Sequence, residues 1–251
     1  MSYPKISIKE ALLITIILIA SLYGTSLISF NYYGLKLGAG IATYVVLIFY
    51  CNKSNTYNIK SGIVAINRPI RSIPLVSIIA ICLFCFVYSI QIVLNALVFG
   101  DTFSAELNRF TRGFKTAVFS ILLFPILEEL LFRKGILHGL TKLYSIRKSI
   151  IVSSLLFSLA HLFTETGMFS AFLIGMVLGY IYVRYNSFIL VLLVHIIYNL
   201  LTIYVSQLIN DYIFAIELSK IYIFFIPLLV VSLLIMLGCI YLLNSQGNHE
   251  N

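Results

Sequence analysis

Charge is scarce in this chain: Asp, Glu, Lys and Arg make up 10% of its 251 residues, against 61% hydrophobic, and the mean hydropathy is +1.03. Soluble domains carry about 25% charged residues, so this composition excludes one and requires an integral membrane protein. No separate soluble domain is visible, and residues 1–251 read as a single transmembrane domain. Cysteine is also rare, and Cys51, Cys82, Cys85 and Cys239 all fall in or at the ends of apolar runs. Cys82 and Cys85 spell C-x-x-C, but inside a helix with no βαβ pattern around it, where cysteine behaves as a small hydrophobe and redox chemistry has no support. A fixed-period repeat is lacking, and so is any low-complexity tract beyond the polar tail "NSQGNHEN".

Long apolar runs are what the chain has. They recur to its end, so the first is a span and not a cleaved secretory leader. Eight are long enough, or nearly so, for a bilayer core that needs about 20 apolar residues per helix. They lie near residues 11–30, 37–51, 74–99, 116–132, 149–163, 168–183, 187–208 and 221–243. The expected fold is all-α, a polytopic bundle of about eight transmembrane helices. Residues 52–73 form the longest cytoplasmic loop, and Gly100 to Lys115 read as a helix on the outer surface. With the N-terminus inside, twelve of the 17 lysines and arginines fall on the cytoplasmic side, which predicts cytoplasmic N- and C-termini. The same bias accounts for the net charge of +8 as a topology signal and an attraction to anionic lipid, with no need of a nucleic-acid partner. The abundance of Ile, Asn and Lys suggests an AT-rich bacterial source, and with the apolar runs the expected location is a bacterial cell membrane, as a multi-pass protein.

An ionisable side chain at bilayer depth costs at least about 2.5 to 3.5 kcal/mol on insertion scales, so each calls for a partner or a wet cavity. Three stretches raise that demand: Glu128, Glu129 and Arg133 in "FPILEELLFRKG"; His161 in "LLFSLAHLF"; His195 and Asn199 in "VLLVHIIYNLL". Residues four apart share a helix face, so Glu129 reaches Arg133 with the acid first, and adjacent Glu128 points elsewhere. Pro125 removes a backbone donor and is expected to kink this helix, opening space for water. His195 and Asn199 also share a face, and Phe157 is placed to pack beside His161. A carboxylate, two imidazoles and an amide suit peptide hydrolysis: the carboxylate takes a proton from water, and N–H groups stabilise the oxyanion. Singly, a histidine or asparagine in a membrane helix is as often an interhelical hydrogen-bond partner. His138 and His249 read as bystanders.

Three ordered motifs, E-E-x-x-x-R at Glu128, Glu129 and Arg133, F-x-x-x-H at Phe157 and His161, and H-x-x-x-N at His195 and Asn199, carry a resemblance. Over about residues 115–205 the chain resembles the CAAX-processing and bacteriocin-processing (CPBP or Abi) intramembrane proteases, which include the prenyl-protein endopeptidase of eukaryotes. The intervening "FLIGMVLGYIYVRYNS" also looks like that family's glycine-bearing helix and turn. The resemblance implies an endopeptidase acting on a membrane-associated peptide or protein, of prenylated CAAX type or bacteriocin-related. It implies that Glu128 and His161 activate water, that His195 and Asn199 bind the oxyanion, and that Glu129 and Arg133 hold the architecture. Lys134, where many members have glycine, departs from the pattern; at an expected cytoplasmic edge it would alter packing or substrate approach.

Other readings stay open. Glu128, His161 and His195 also form a His₂Glu zinc set, although no H-E-x-x-H is present and Asn199 suits an oxyanion donor better than a zinc ligand. A metal-free site is the favoured form. A non-catalytic protein of bacteriocin self-immunity, binding a toxin or a signalling partner, is the alternative. A solute carrier ranks last, since the ionisable residues cluster and no half is repeated.

Overall fold

An apolar run in lipid must satisfy its own backbone hydrogen bonds, which a helix does within the segment. In the computed structural model, which describes residues 5–27, 33–53, 69–99, 118–162, 167–206, 208–209 and 218–246, every regular element among the described residues is helical. The helices are α1 (Ile8–Ser26), α2 (Tyr33–Lys53), α3 (Pro69–Phe99), α4 (from Phe119 to Leu140), α5 (Ile146–Ala160), α6 (Met168–Tyr185), α7 (Phe188–Val205) and α8 (Leu218–Gln246). Six of them, α1, α2, α3, α6, α7 and α8, are long and apolar enough to cross a membrane. The other two differ for physical reasons. α4 carries Glu128, Glu129, Arg133 and Lys134 and changes helical type along its length. α5 has 15 residues, about 22 Å at 1.5 Å per residue, short of a bilayer core of about 30 Å.

Boundaries follow local chemistry. α1 starts in a capping box: Ser7 Oγ accepts from the Glu10 N–H at 3.2 Å, and the Glu10 carboxylate accepts from the Ser7 N–H at 2.7 Å. α6 ends at Asn186, whose left-handed backbone (φ 45°) closes the helix. α3 begins at Pro69, inside the stretch 52–73 expected as a loop, and residues 54–68 of that stretch lie outside the described residues. The expected surface helix at 100–115 and the polar tail after Gln246 lie outside the described residues.

The chain divides into two compact units. The first comprises residues 1–67 and 124–192, hence α1, α2, most of α4, α5, α6 and the start of α7. Within it α6 meets α5 through Gly175 and Gly179, one turn apart. A Cβ on Gly175 would stand 3.1 Å from the Ser154 Cα, and one on Gly179 would stand 3.2 Å from the Ile150 side chain. This is the small-residue crossing that lets membrane helices approach closely. α1 and α2 share a hydroxyl bond between Ser21 and Thr43 (2.5 Å). The second unit comprises residues 68–123 and 193–251. There α3 packs on α8, with Tyr88 edge-on to Phe225 (6.1 Å) and stacked on Phe84 (5.4 Å).

Candidate active site

α4 is built from four pieces: a wide π turn over Phe119–Leu123, an α segment over Phe124–Glu129, a second π segment over Leu130–Leu137, and a closing α turn over His138–Leu140. Pro125 explains the first change of type. Its ring would strike the carbonyl four residues back in an α-helix, and that carbonyl belongs to Ile121 inside the wide turn. The expected kink is therefore realised as a widening. Glu128 and Glu129 end the α segment between the two wide stretches.

In the first unit, Glu129 and Arg133 form an ion pair, Nε to Oε2 at 3.1 Å, with side chains 0% and 1% exposed. The Arg133 guanidinium lies 4.5 Å above the ring of Phe157 on α5. Phe132 meets that ring edge-on at 5.2 Å, and the His161 imidazole lies 4.5 Å from it. One aromatic ring thus joins the E-E-x-x-x-R motif to the F-x-x-x-H motif. Glu128, half-buried, lies within electrostatic reach of Arg133 and of the buried Tyr44 of α2.

His161 caps the C-terminus of α5 with φ −95° and ψ 9°, a sparsely populated backbone region where active-site residues often sit. It lies beyond the last helical residue, Ala160, and not inside a span running to 163 as the apolar run suggested. Its Nδ1–H donates to the Phe157 carbonyl at 2.8 Å. In the neutral ring this bond puts the lone pair on Nε2, the form a base or a metal ligand needs.

In the second unit, His195 is buried on α7 and Asn199 lies one turn further along the same helix. Asn199 Nδ2 donates to the Ser120 carbonyl in the first wide turn of α4 at 2.9 Å. A primary amide has two N–H groups and an acceptor oxygen, so one N–H and Oδ1 remain for other partners. Glu129, Arg133, Phe157 and His161 are joined within the first unit, and His195 and Asn199 belong to the second. No three His, Cys, Asp or Glu side chains gather in a metal-holding group among the described residues.

Three contributors were not read from the sequence. Ser153 on α5 donates to the Phe132 carbonyl of the second wide stretch at 3.2 Å, and Ser158 donates to the Met168 carbonyl at 2.6 Å. Ser120 supplies its carbonyl to Asn199. The run of buried serines at 149, 153, 154 and 158 was the available signal, since hydroxyls in an apolar helix need acceptors. Lys134 is also buried, with its ammonium 5.0 Å from the Phe188 ring centre, and does not sit at an exposed edge.

No curated protein and no solved structure matches the chain. A family model does: residues 110–201, which contain all three motifs, match the type II CAAX prenyl endopeptidase Rce1-like family. Over that segment the chain is similar to this family of CAAX-type proteases.

Proposed function

We propose that the protein is an endopeptidase that hydrolyses a peptide bond near the membrane surface of a lipid-anchored substrate, with Glu128 and His161 activating water and His195 and Asn199 binding the oxyanion. The observation that carries this reading is the buried run from Glu129 through Arg133 and Phe157 to His161, which ties the carboxylate-bearing helix to an imidazole of fixed tautomer. Water loses its proton to the Glu128 carboxylate, and its oxygen bonds to the scissile carbonyl carbon. The charge that develops on the carbonyl oxygen is met by an imidazole N–H of His195 and the second N–H of Asn199. As the tetrahedral adduct collapses, the C–N bond breaks and the proton passes to the departing amine. Glu129, paired with Arg133, is committed to the architecture.

The substrate in this proposal is a CAAX-type or bacteriocin-related chain held at the membrane by its own lipid or apolar segment. Glu128, His161 and His195 are donor types that zinc accepts, and the proposal routes no step through a metal. The test is cleavage of a vesicle-anchored prenylated CAAX peptide by purified wild type, His161→Ala and Asn199→Ala, read by mass spectrometry. Wild type is expected to release a single C-terminal fragment. Asn199→Ala is expected to be slower by about 10² to 10³, and His161→Ala by about 10² to 10⁴. Cleavage at the wild-type rate by both variants would refute the assigned roles.

A further inference from the structure

At one end of the first unit the chain just before α1 is pinned across the turn between α4 and α5. The Ile6 N–H donates to the Gly139 carbonyl at 3.3 Å, and the Ile8 N–H donates to the Tyr144 hydroxyl at 3.5 Å. The fit is tight, since a Cβ on Gly139 would stand 2.7 Å from the Ile6 side chain. This docking sets the segment that carries Lys5 and Lys9 against the turn that carries Lys142, Arg147 and Lys148, all five exposed. Lys148 sits 4.9 Å above the Tyr144 ring that also receives Ile8. The one acid of these two segments, Glu10, is taken up by the Ser7 N–H in the capping box of α1.

The charges also stand at the wrong ends of their helices. Lys9 lies in the first turn of α1, and Arg147 and Lys148 in the first turn of α5, where the helix dipole is positive and favours anions. Local charge choice and helix polarity conflict here, and an external anion would reconcile them. Exposed Leu143 (44%) and Ile146 (54%) lie among the cations, and exposed Leu12 and Leu13 follow on α1. Cations bordered by apolar side chains and a tyrosine match a headgroup resting above its own acyl chains.

We infer that this collar of Lys5, Lys9, Lys142, Arg147 and Lys148 binds the phosphate of an anionic phospholipid, whose acyl chains lie along the exposed apolar residues of α1 and α5. The site is independent of the proposed hydrolysis. It recognises the phosphate and the attached chains together, so a soluble phosphate is a poor substitute.

The experiment uses the full-length protein in neutral detergent, titrated with phosphatidylglycerol, phosphatidylcholine or inorganic phosphate. Thermal unfolding and native mass spectrometry of retained lipid are the readouts. Wild type is expected to retain phosphatidylglycerol and to unfold several degrees higher with it, and to respond little to the other two. Each cation near a membrane surface contributes about fivefold in affinity, so K142Q/R147Q/K148Q is expected to bind phosphatidylglycerol on the order of a hundredfold more weakly. The charge-keeping K142R/K148R is expected to bind as wild type does. Equal response of wild type to phosphatidylcholine or to inorganic phosphate would overturn the inference, and so would undiminished retention in a folded K142Q/R147Q/K148Q. Should that variant not fold, the wild-type titrations decide the matter alone.

Discussion

Arg133 is a charge in an apolar interior, held by Glu129 at 3.1 Å and laid on the Phe157 ring. Breaking a buried ion pair from one side leaves the other charge without compensation and costs about 3 to 5 kcal/mol, whereas replacing both with apolar groups is often neutral. Arg133→Met is therefore expected to destabilise by about that amount, and Glu129→Leu/Arg133→Met to recover most of it, as measured by denaturation in detergent. If the double variant were no more stable than the single ones, the pair would have a role beyond mutual neutralisation. Phe157 has a different task, because its ring touches Arg133, Phe132 and His161 together. Phe157→Ala is expected to cost about 3 to 5 kcal/mol through the cavity alone. Catalytic loss in Phe157→Leu, which fills much of that volume, would then report on the orientation of His161. The Glu129–Arg133 pairing was legible from a four-residue spacing on a helix. The burial of Lys134 was not, because the second wide stretch of α4 changes the direction in which residues after Glu129 point.

At the scale of elements, helices follow directly from apolar runs, since lipid leaves the backbone no other partner. What the runs do not carry is helical type. A π turn adds one residue to a turn and leaves little mark on hydropathy, so the two wide stretches that flank Phe124–Glu129 could be anticipated only at Pro125. Their side-chain partners are distant in sequence: Ser153 is 21 residues from Phe132, and Asn199 is 79 from Ser120. Nothing local announces such pairs. Ser153→Ala would leave a buried carbonyl without its donor, and is expected to cost about 1 to 3 kcal/mol. The α5–α6 crossing makes a sharper prediction. Gly175→Leu must push against the Ser154 backbone, where a Cβ already stands at 3.1 Å, and is expected to destabilise by about 1 to 3 kcal/mol or more. Gly38→Ala on α2 meets nothing within 4 Å and is expected to be stabilising by up to about 1 kcal/mol. Unfolding midpoints of the two variants, compared in one detergent, check the pair; equal shifts would argue against close packing of α5 and α6.

For the whole molecule, the motif-bearing segment at 110–201 carries the family likeness, and four of the six helices long and apolar enough to cross a membrane, α1, α2, α3 and α8, lie wholly outside it. The three motifs could be read in order, but the joining of the first two through the Phe157 ring could not, because it depends on how α4 and α5 pack. Metal dependence is decided by treating the purified protein with a strong chelator and assaying both bound metal and cleavage. The water-activating roles proposed for Glu128 and His161 require full activity after metal is stripped, and activity restored only by added zinc would assign those side chains to a metal instead. The most direct measurement compares wild type with Glu128→Gln, which keeps the shape of the side chain and removes its basicity, on one vesicle-anchored peptide followed by mass spectrometry. The expected result is specific cleavage by wild type and a rate lower by about 10² to 10⁴ in Glu128→Gln, at equal folded fraction. Cleavage by Glu128→Gln at the wild-type rate would contradict the assignment of the water-activating base.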